Sequence, residues 1–270
     1  MTALGTVAVL TYHSIGAQTT GPLAHLTVDP AMFDEHLAAL REHDLDVIPF
    51  REVPSALVAG ARAVTITIDD GFADAAENAC PALAAYGLPA TLFIPTAYVG
   101  ATSGWLPGDD AWRPMCSWRE IAEIARAGFE IGSHGHLHLA ADINSTTLVQ
   151  HDAWASRVEL EEHLGQAVTS FAYPFGYHAG PARAAVRAAG FAQACAVADL
   201  PAHARADRWA LPRLQVRSDT SPEALLELVG RRATRPARGW AYSKQTIWRA
   251  GRRWAGWGPI EAGRVPGGVR

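Results

Sequence analysis

Short apolar runs alternate along the chain with longer stretches whose apolar residues fall three or four apart. The runs at 7–12, 64–68, 91–94, 129–132, 170–173, 191–197 and 211–216 have strand length. Most are apolar throughout rather than alternating with polar residues, so they predict strands covered on both faces. Between them, Met32, Phe33, Leu37 and Leu40 predict a helix over 30–43 behind an Asp29 N-cap. Residues 73–86 predict a second helix, stopped by Gly87 and Pro89. Ser117-Trp118-Arg119-Glu120 has the form of a capping box and opens a third, which ends at Gly128. Ser145 or Thr146 caps a long fourth helix reaching about Gly165. A fifth covers 181–189 before Gly190, and Ser221 with Pro222 opens a sixth.

Repeated β–α units with doubly covered strands predict a mostly parallel sheet wrapped in helices. The residues with catalytic chemistry fall just after strands: Asp69 and Asp70, His134 and His138, and Tyr173-Pro174-Phe175-Gly176. An α/β barrel and an open doubly wound sheet both put their sites there, so this pattern alone does not choose between them. The chain has 270 residues, 49% hydrophobic and 19% charged. That suits one α/β barrel of about 200–250 residues and excludes wholesale disorder. No run of about 18 apolar residues marks a transmembrane helix. The N-terminus lacks the basic start and small-residue cleavage pattern of a signal peptide, and 7–10 reads as a strand, so the expected compartment is the cytoplasm. Cys80, Cys116 and Cys195, odd in number and widely spaced, read as reduced thiols.

Charge is uneven. Residues 231–270 hold nine Arg and Lys244 against the single acid Glu261, a net +9. The whole chain is −4, which leaves −13 on residues 1–230. Trp240, Trp248, Trp254 and Trp257 interleave with these arginines, a mixture compatible with an interfacial helix or a docking arm. Folding back onto the acidic body or staying solvated is the plain reading of this stretch, with a peripheral membrane contact as the alternative partner surface, and no nucleic acid is expected. The domain reading is a catalytic body over 1–230 and a basic Trp/Arg-rich extension over 231–270.

Asp69-Asp70-Gly71 closes the run at 64–68, and Gly71 lets the chain turn so that both carboxylates reach one pocket. A plain acidic turn fits the same residues. His134 and His138 stand four apart, a spacing that brings two imidazoles to one ion on a helix face or in a compact loop. A pair of surface histidines is the other reading, and His136, between them, reads as structural or as a support for the ligands. Two imidazoles and a carboxylate suit zinc, cobalt, nickel or iron and leave open positions for water and a substrate oxygen. The second carboxylate can take a proton. Together these residues point to a metal-dependent hydrolase.

In order along the chain, Thr67-Ile68-Asp69-Asp70-Gly71, Ser133-His134 with His138, and Phe171-Ala172-Tyr173-Pro174-Phe175-Gly176 resemble the polysaccharide deacetylase family, the NodB-homology domain or carbohydrate esterase family 4, over roughly residues 5–230. The resemblance implies an α/β fold, an irregular (β/α)7-type barrel, that removes N- or O-acetyl groups from sugars with a divalent metal, zinc first and cobalt or nickel as substitutes. It implies Asp69 as catalytic base, Asp70, His134 and His138 as metal ligands, and the backbone N–H of Phe175 as a donor to the oxyanion. The family usually carries Ser or Thr directly after its first histidine, where this chain has Gly135. Its third motif usually opens with an Arg that orients the base, where this chain reads Phe171-Ala172-Tyr173, like a branch acting on poly-N-acetylglucosamine-like or smaller sugars. Arg213 can supply that cation, with an ordinary surface ion pair as the alternative. The family's C-terminal Leu-x-His, source of the general acid, has no counterpart after His203. Leu10-Thr11-Tyr12-His13 resembles it in a branch with permuted motifs, which gives His13 the acid role, or else that of a capping histidine at a strand end.

The expected reaction is removal of an N-acetyl group from an amino sugar or N-acetylglucosamine-containing glycan, with release of acetate. An O-acetyl esterase, a deformylase or a silent sugar-binding protein are the alternatives. The loop at 100–113, with Trp105 and Trp112, reads as a lid or sugar platform, or as a connection whose tryptophans pack on the body. Trp209 reads as a wall of the acyl pocket, a sugar-stacking residue, or a core tryptophan.

Overall fold

The computed structural model describes residues 5–231. Seven strands, β1 (Thr6–Tyr12), β2 (Arg62–Ile68), β3 (Thr91–Ile94), β4 (Glu130–Ser133), β5 (Ser170–Ala172), β6 (Gln193–Val197) and β7 (Leu211–Gln215), lie side by side in chain order, every neighbouring pair parallel. β7 pairs back onto β1 through Leu214↔Leu10 and Gln215↔Thr11, which closes the sheet. Closure decides between the two architectures that the sequence left open: the fold is a (β/α)7 barrel. It is irregular, because β1 and β2 share seven paired positions while β4 and β5 share only Ser133↔Phe171.

Around it lie α1 (Pro30–Glu42), α2 (Val53–Ala59), α3 (Cys80–Tyr86), α4 (Trp118–Arg126), α5 (Thr146–Leu164), α6 (Gly180–Ala188) and α7 (Pro222–Gly230). The predicted caps form: Asp29 accepts from Ala31 N, Ser117 and Glu120 make the reciprocal box, and Ser145 and Ser221 cap α5 and α7. Outward-facing Leu10, Tyr12, Ile66, Ile68, Leu92 and Ile131 pack with Phe33, Leu37, Leu83, Val149 and Leu225 of the helices in one continuous core. Each such side chain contributes about 1.5–3 kcal/mol by leaving water.

The predicted helix over 73–86 is not uniform. Residues Ala75–Ala79 form a π turn before α3, next to Pro81, which has no N–H to continue an α ladder and whose ring crowds the preceding turn. The apolar pattern does not mark α2: seven residues are too few to show a helical period, although Gly60 ends it in the left-handed conformation. Together with Phe50, its Val53 and Leu57 plug the N-terminal mouth of the barrel against Val7, Val9 and Phe93. Short strands Ser14–Ile15 with Thr27–Val28, and Ala202–His203 antiparallel to β1, are the remaining strands among the described residues. Among the described residues no helix is long and apolar enough to cross a membrane. The basic stretch after 231 lies outside the described residues.

Side chains inside the barrel are layered. At the N-terminal end, Glu130 accepts from Ser170 Oγ at 2.6 Å, Thr91 Oγ1 at 2.8 Å and Arg51 N at 2.8 Å. Above it comes the apolar layer of Val7, Val9, Phe93, Ala172, Cys195 and Leu211. At the C-terminal end the interior turns polar again, where strand alternation carries Thr67, Asp69 and Arg213 inward. The candidate site is built on that end.

Candidate active site

β2 ends at Ile68, and the chain turns at once: Asp70 and Gly71 both take positive φ, 70° and 68°. The turn leaves Asp69 aimed into the barrel and Asp70 at its rim. Asp70, His138 and Phe175 are three of the five non-glycine residues with positive φ among the described residues. Such conformations cost about 1–3 kcal/mol each and persist only where surrounding structure fixes them, so the strain is concentrated around the predicted site.

Arg213 settles one open alternative. Its side chain is wholly buried and grips Asp69 with two hydrogen bonds, Nη1 to Oδ1 at 2.7 Å and Nη2 to Oδ2 at 2.6 Å, while Nη1 also reaches Thr67 Oγ1 at 3.2 Å. A surface ion pair is excluded. Burial alone would raise the Asp69 pKa, but the guanidinium overrides it and holds the carboxyl below its ordinary value. This cation arrives from β7, not from the third motif, because Ala172 on β5 leaves the interior free for it.

His134 directly follows β4, at the seam where pairing to β5 thins. Its Nδ1 donates to Ala172 O at 2.8 Å, which fixes the tautomer and leaves Nε2 facing Asp70 Oδ1 at 3.3 Å. His138 Nε2 approaches the same Oδ1 at 3.2 Å. Asp70, His134 and His138 are all buried and form the one group of metal-ligating atoms found among the described residues, with the atoms within 4.8 Å of one another. Tetrahedral bonds of about 2.0–2.1 Å would set ligand atoms roughly 3.3–3.4 Å apart; the two separations from Asp70 match this, and the N,N,O donor set suits a divalent ion. Burial would raise Asp70, but the two imidazoles hold it well below the ordinary carboxylate range. The surface-histidine reading fails on burial.

His13 stands beside this group and feels the charges of Asp70, Asp69, Arg213 and His134. Its Nδ1 is buried without a protein partner, and burial lowers its pKa against the pull of the two carboxylates. Phe175 adopts φ 60° in Tyr173–Gly176, and its half-exposed ring meets His138 edge-on at 4.8 Å. Trp105 stacks on the same imidazole at 4.6 Å and on Phe72 at 6.2 Å, so this tryptophan of the long loop packs against the site, while Trp112 is 76% exposed. Trp209 is not at the site. It precedes β7 at the opposite end of the barrel, half-buried between Arg187 and Arg208 with its indole N–H on Phe191 O. His136 points away, to Thr96 at 2.8 Å and Glu159 at 3.3 Å, as expected of a structural residue. Asp152 of α5, which binds the backbone between the two histidines, carries no signal in the sequence beyond being polar in a long helix.

The family model for polysaccharide deacetylases matches residues 58–194. A poly-β-1,6-N-acetyl-D-glucosamine N-deacetylase of Staphylococcus aureus is 24% identical over 209 residues, 73% of this chain and 70% of that protein. YxkH of Bacillus subtilis, whose name places it among polysaccharide deacetylases without a substrate, is 26% identical over 172 residues; the match spans 62% of this chain and only 56% of YxkH. Among solved structures, the deacetylase PplD of Streptococcus pyogenes in complex with acetate superposes with a TM-score of 0.74 at 23% identity, over 85% of this chain and 100% of PplD. IcaB of Ammonifex degensii superposes at 0.69 and 22%, over 84% and 99%. These two likenesses establish the shared barrel.

Proposed function

Because the chain belongs to the polysaccharide deacetylase family, we propose that its site removes an N-acetyl group from an amino sugar in an N-acetylglucosamine-containing glycan and releases acetate. The observation that carries this reading is a buried Asp–His–His ligand set beside a second carboxylate, Asp69, kept ionised by Arg213. Asp70, His134 and His138 would hold a divalent ion, zinc by donor set and cobalt or nickel as substitutes. When bound, that ion supplies positive charge that polarises the acyl carbonyl and acidifies water.

The chain's own groups do the rest. Asp69 takes the proton of the attacking water, and Arg213 keeps it charged and aimed. The N–H of Phe175 donates to the acyl oxygen as that oxygen gains charge. The water oxygen bonds to the acyl carbon, the C–N bond breaks, and His13 delivers a proton to the sugar nitrogen, since an amide anion is too basic to leave. The lowered pKa of His13 makes its imidazolium a stronger acid, with a smaller protonated fraction at neutral pH. A glycan rather than a small acetamide is supported by the names of the relatives, one of which acts on poly-β-1,6-N-acetyl-D-glucosamine.

The test is acetate release from β-1,6-linked N-acetylglucosamine oligomers by protein loaded with zinc, cobalt or nickel, with free amine and free hydroxyl measured alongside. Acetate and amine should appear in equal amounts and stop on chelation. Acetate with new hydroxyl and no amine would make the protein an O-acetyl esterase instead.

A further inference from the structure

The loop between the two histidine ligands is held by a residue outside the three motifs. Asp152 sits in the second turn of α5 and is 6% exposed. Its Oδ2 accepts from His136 N at 3.0 Å and its Oδ1 from Leu137 N at 2.7 Å, so one carboxylate spans two successive amides. Gly135 N donates to Ser133 Oγ at 3.0 Å. On the far side, Thr96 N and Ala97 N donate to the carbonyls of Gly135 and His136 at 3.2 and 3.0 Å. Every amide from 135 to 137 therefore has a partner, and two of the three partners are the oxygens of Asp152.

Gly135 explains why the carboxylate fits. Its φ is +79°, and a Cβ built there would lie 2.5 Å from Asp152 Oδ2. The carboxylate thus stands where a side chain at 135 would go. This is the position at which the resemblance expects Ser or Thr.

We propose that Asp152 is the positioning residue of the metal centre: clamping the amides of His136 and Leu137, in space that Gly135 leaves open, it fixes the loop so that His134 and His138 converge on Asp70. Asp152 makes its hydrogen bonds to the backbone of His136 and Leu137, not to the side chains of the three ligands. The proposal rests on the reading of Asp70, His134 and His138 as ligands, and failure of that reading would show separately, as no zinc binding by the unaltered chain.

The experiment measures zinc affinity of the purified full chain by competition with a fluorescent chelator, well below the melting temperature, alongside the melting temperature of the metal-free protein. Asp152→Asn retains volume but turns an N–H donor toward a backbone donor. It should weaken zinc binding about 10–100-fold, the usual effect of losing a support behind a ligand, while the metal-free protein still melts cooperatively. Asp152→Glu should recover part of the loss. Gly135→Ser, which restores the family's usual residue, should weaken zinc binding rather than improve it. Combined with Asp152→Ala it should cost less than the two single losses multiplied, because the clash disappears with the carboxylate. Wild-type zinc affinity in a folded Asp152→Asn protein would overturn the proposal, and so would full multiplicativity in the double variant. If Asp152→Ala does not fold, Asp152→Asn and Gly135→Ser alone decide the matter.

Discussion

Asp69 lies among residues that exclude water, so its charge depends on Arg213 rather than on solvent. That separates two variants which a surface pair would not distinguish. Asp69→Asn keeps the shape and removes the proton acceptor; it should bind zinc as the wild type does and lose about 10²–10⁴-fold in turnover, read by acetate release against chelator competition. Arg213→Leu removes the cation and leaves a buried carboxylate unpaired, which typically costs about 3–5 kcal/mol, so it should also melt markedly earlier. If Arg213→Leu is as stable as the wild type, the pair does not hold Asp69 as described. At this scale the convergence of Asp70, His134 and His138 was legible because side chains of ligand type announce themselves in residue type and spacing. Arg213 was legible only as a candidate: an arginine in a strand reads as surface until closure of the barrel shows that its position faces inward. Asp152 was not legible, since what gives it meaning is a backbone loop it meets only in the fold.

Elements were read well where period and caps agree and poorly where an element is short or its ladder is altered. The N-cap and apolar spacing mark α1, yet nothing in residue type or period singles out His36 on its buried face. The structure does. His36 Nε2 donates to Thr220 O at 2.9 Å, which leaves Nδ1 to accept from Tyr12 O–H at 3.2 Å, a neutral imidazole joining α1 to β1 and to the start of α7. Burial lowers its pKa, with the Thr220 hydrogen bond opposing. A lowered folded pKa means the unfolded chain binds the proton more readily. The contribution to stability is complete above about pH 6.5, the unfolded value, and falls as pH drops below it, by at most about 1.4 kcal/mol per pH unit. Melting temperatures at pH 7.5, 6.5 and 5.5, at equal metal loading, should fall more steeply for the wild type than for His36→Gln. Parallel curves would show that α1 does not dock through a neutral histidine.

For the whole molecule, the alternation of apolar runs and helices gave the parallel class, but not closure, because a barrel and an open sheet share that alternation. What selects the barrel is the filling of its interior: Phe50, Val53 and Leu57 stop its lower mouth, and the Asp69–Arg213 pair occupies the upper one. β7 returns to β1 and Leu225 of α7 reaches the core, so the barrel closes within the described residues. A chain ending at Arg231 should therefore melt within a few degrees of the full chain, bind zinc equally and turn over short oligosaccharides at the same rate. The residues beyond it are set apart by their charge. Basic residues near an anionic surface contribute about 1 kcal/mol each, screened by salt, and the acidic remainder of the chain offers no comparable run. The full chain should sediment with phosphatidylserine-containing vesicles at low salt and release as salt rises, while the shortened chain stays in the supernatant. Equal sedimentation of the two would end the membrane reading. A shortened chain that fails to fold would instead assign the basic extension to the core, against a barrel that closes without it.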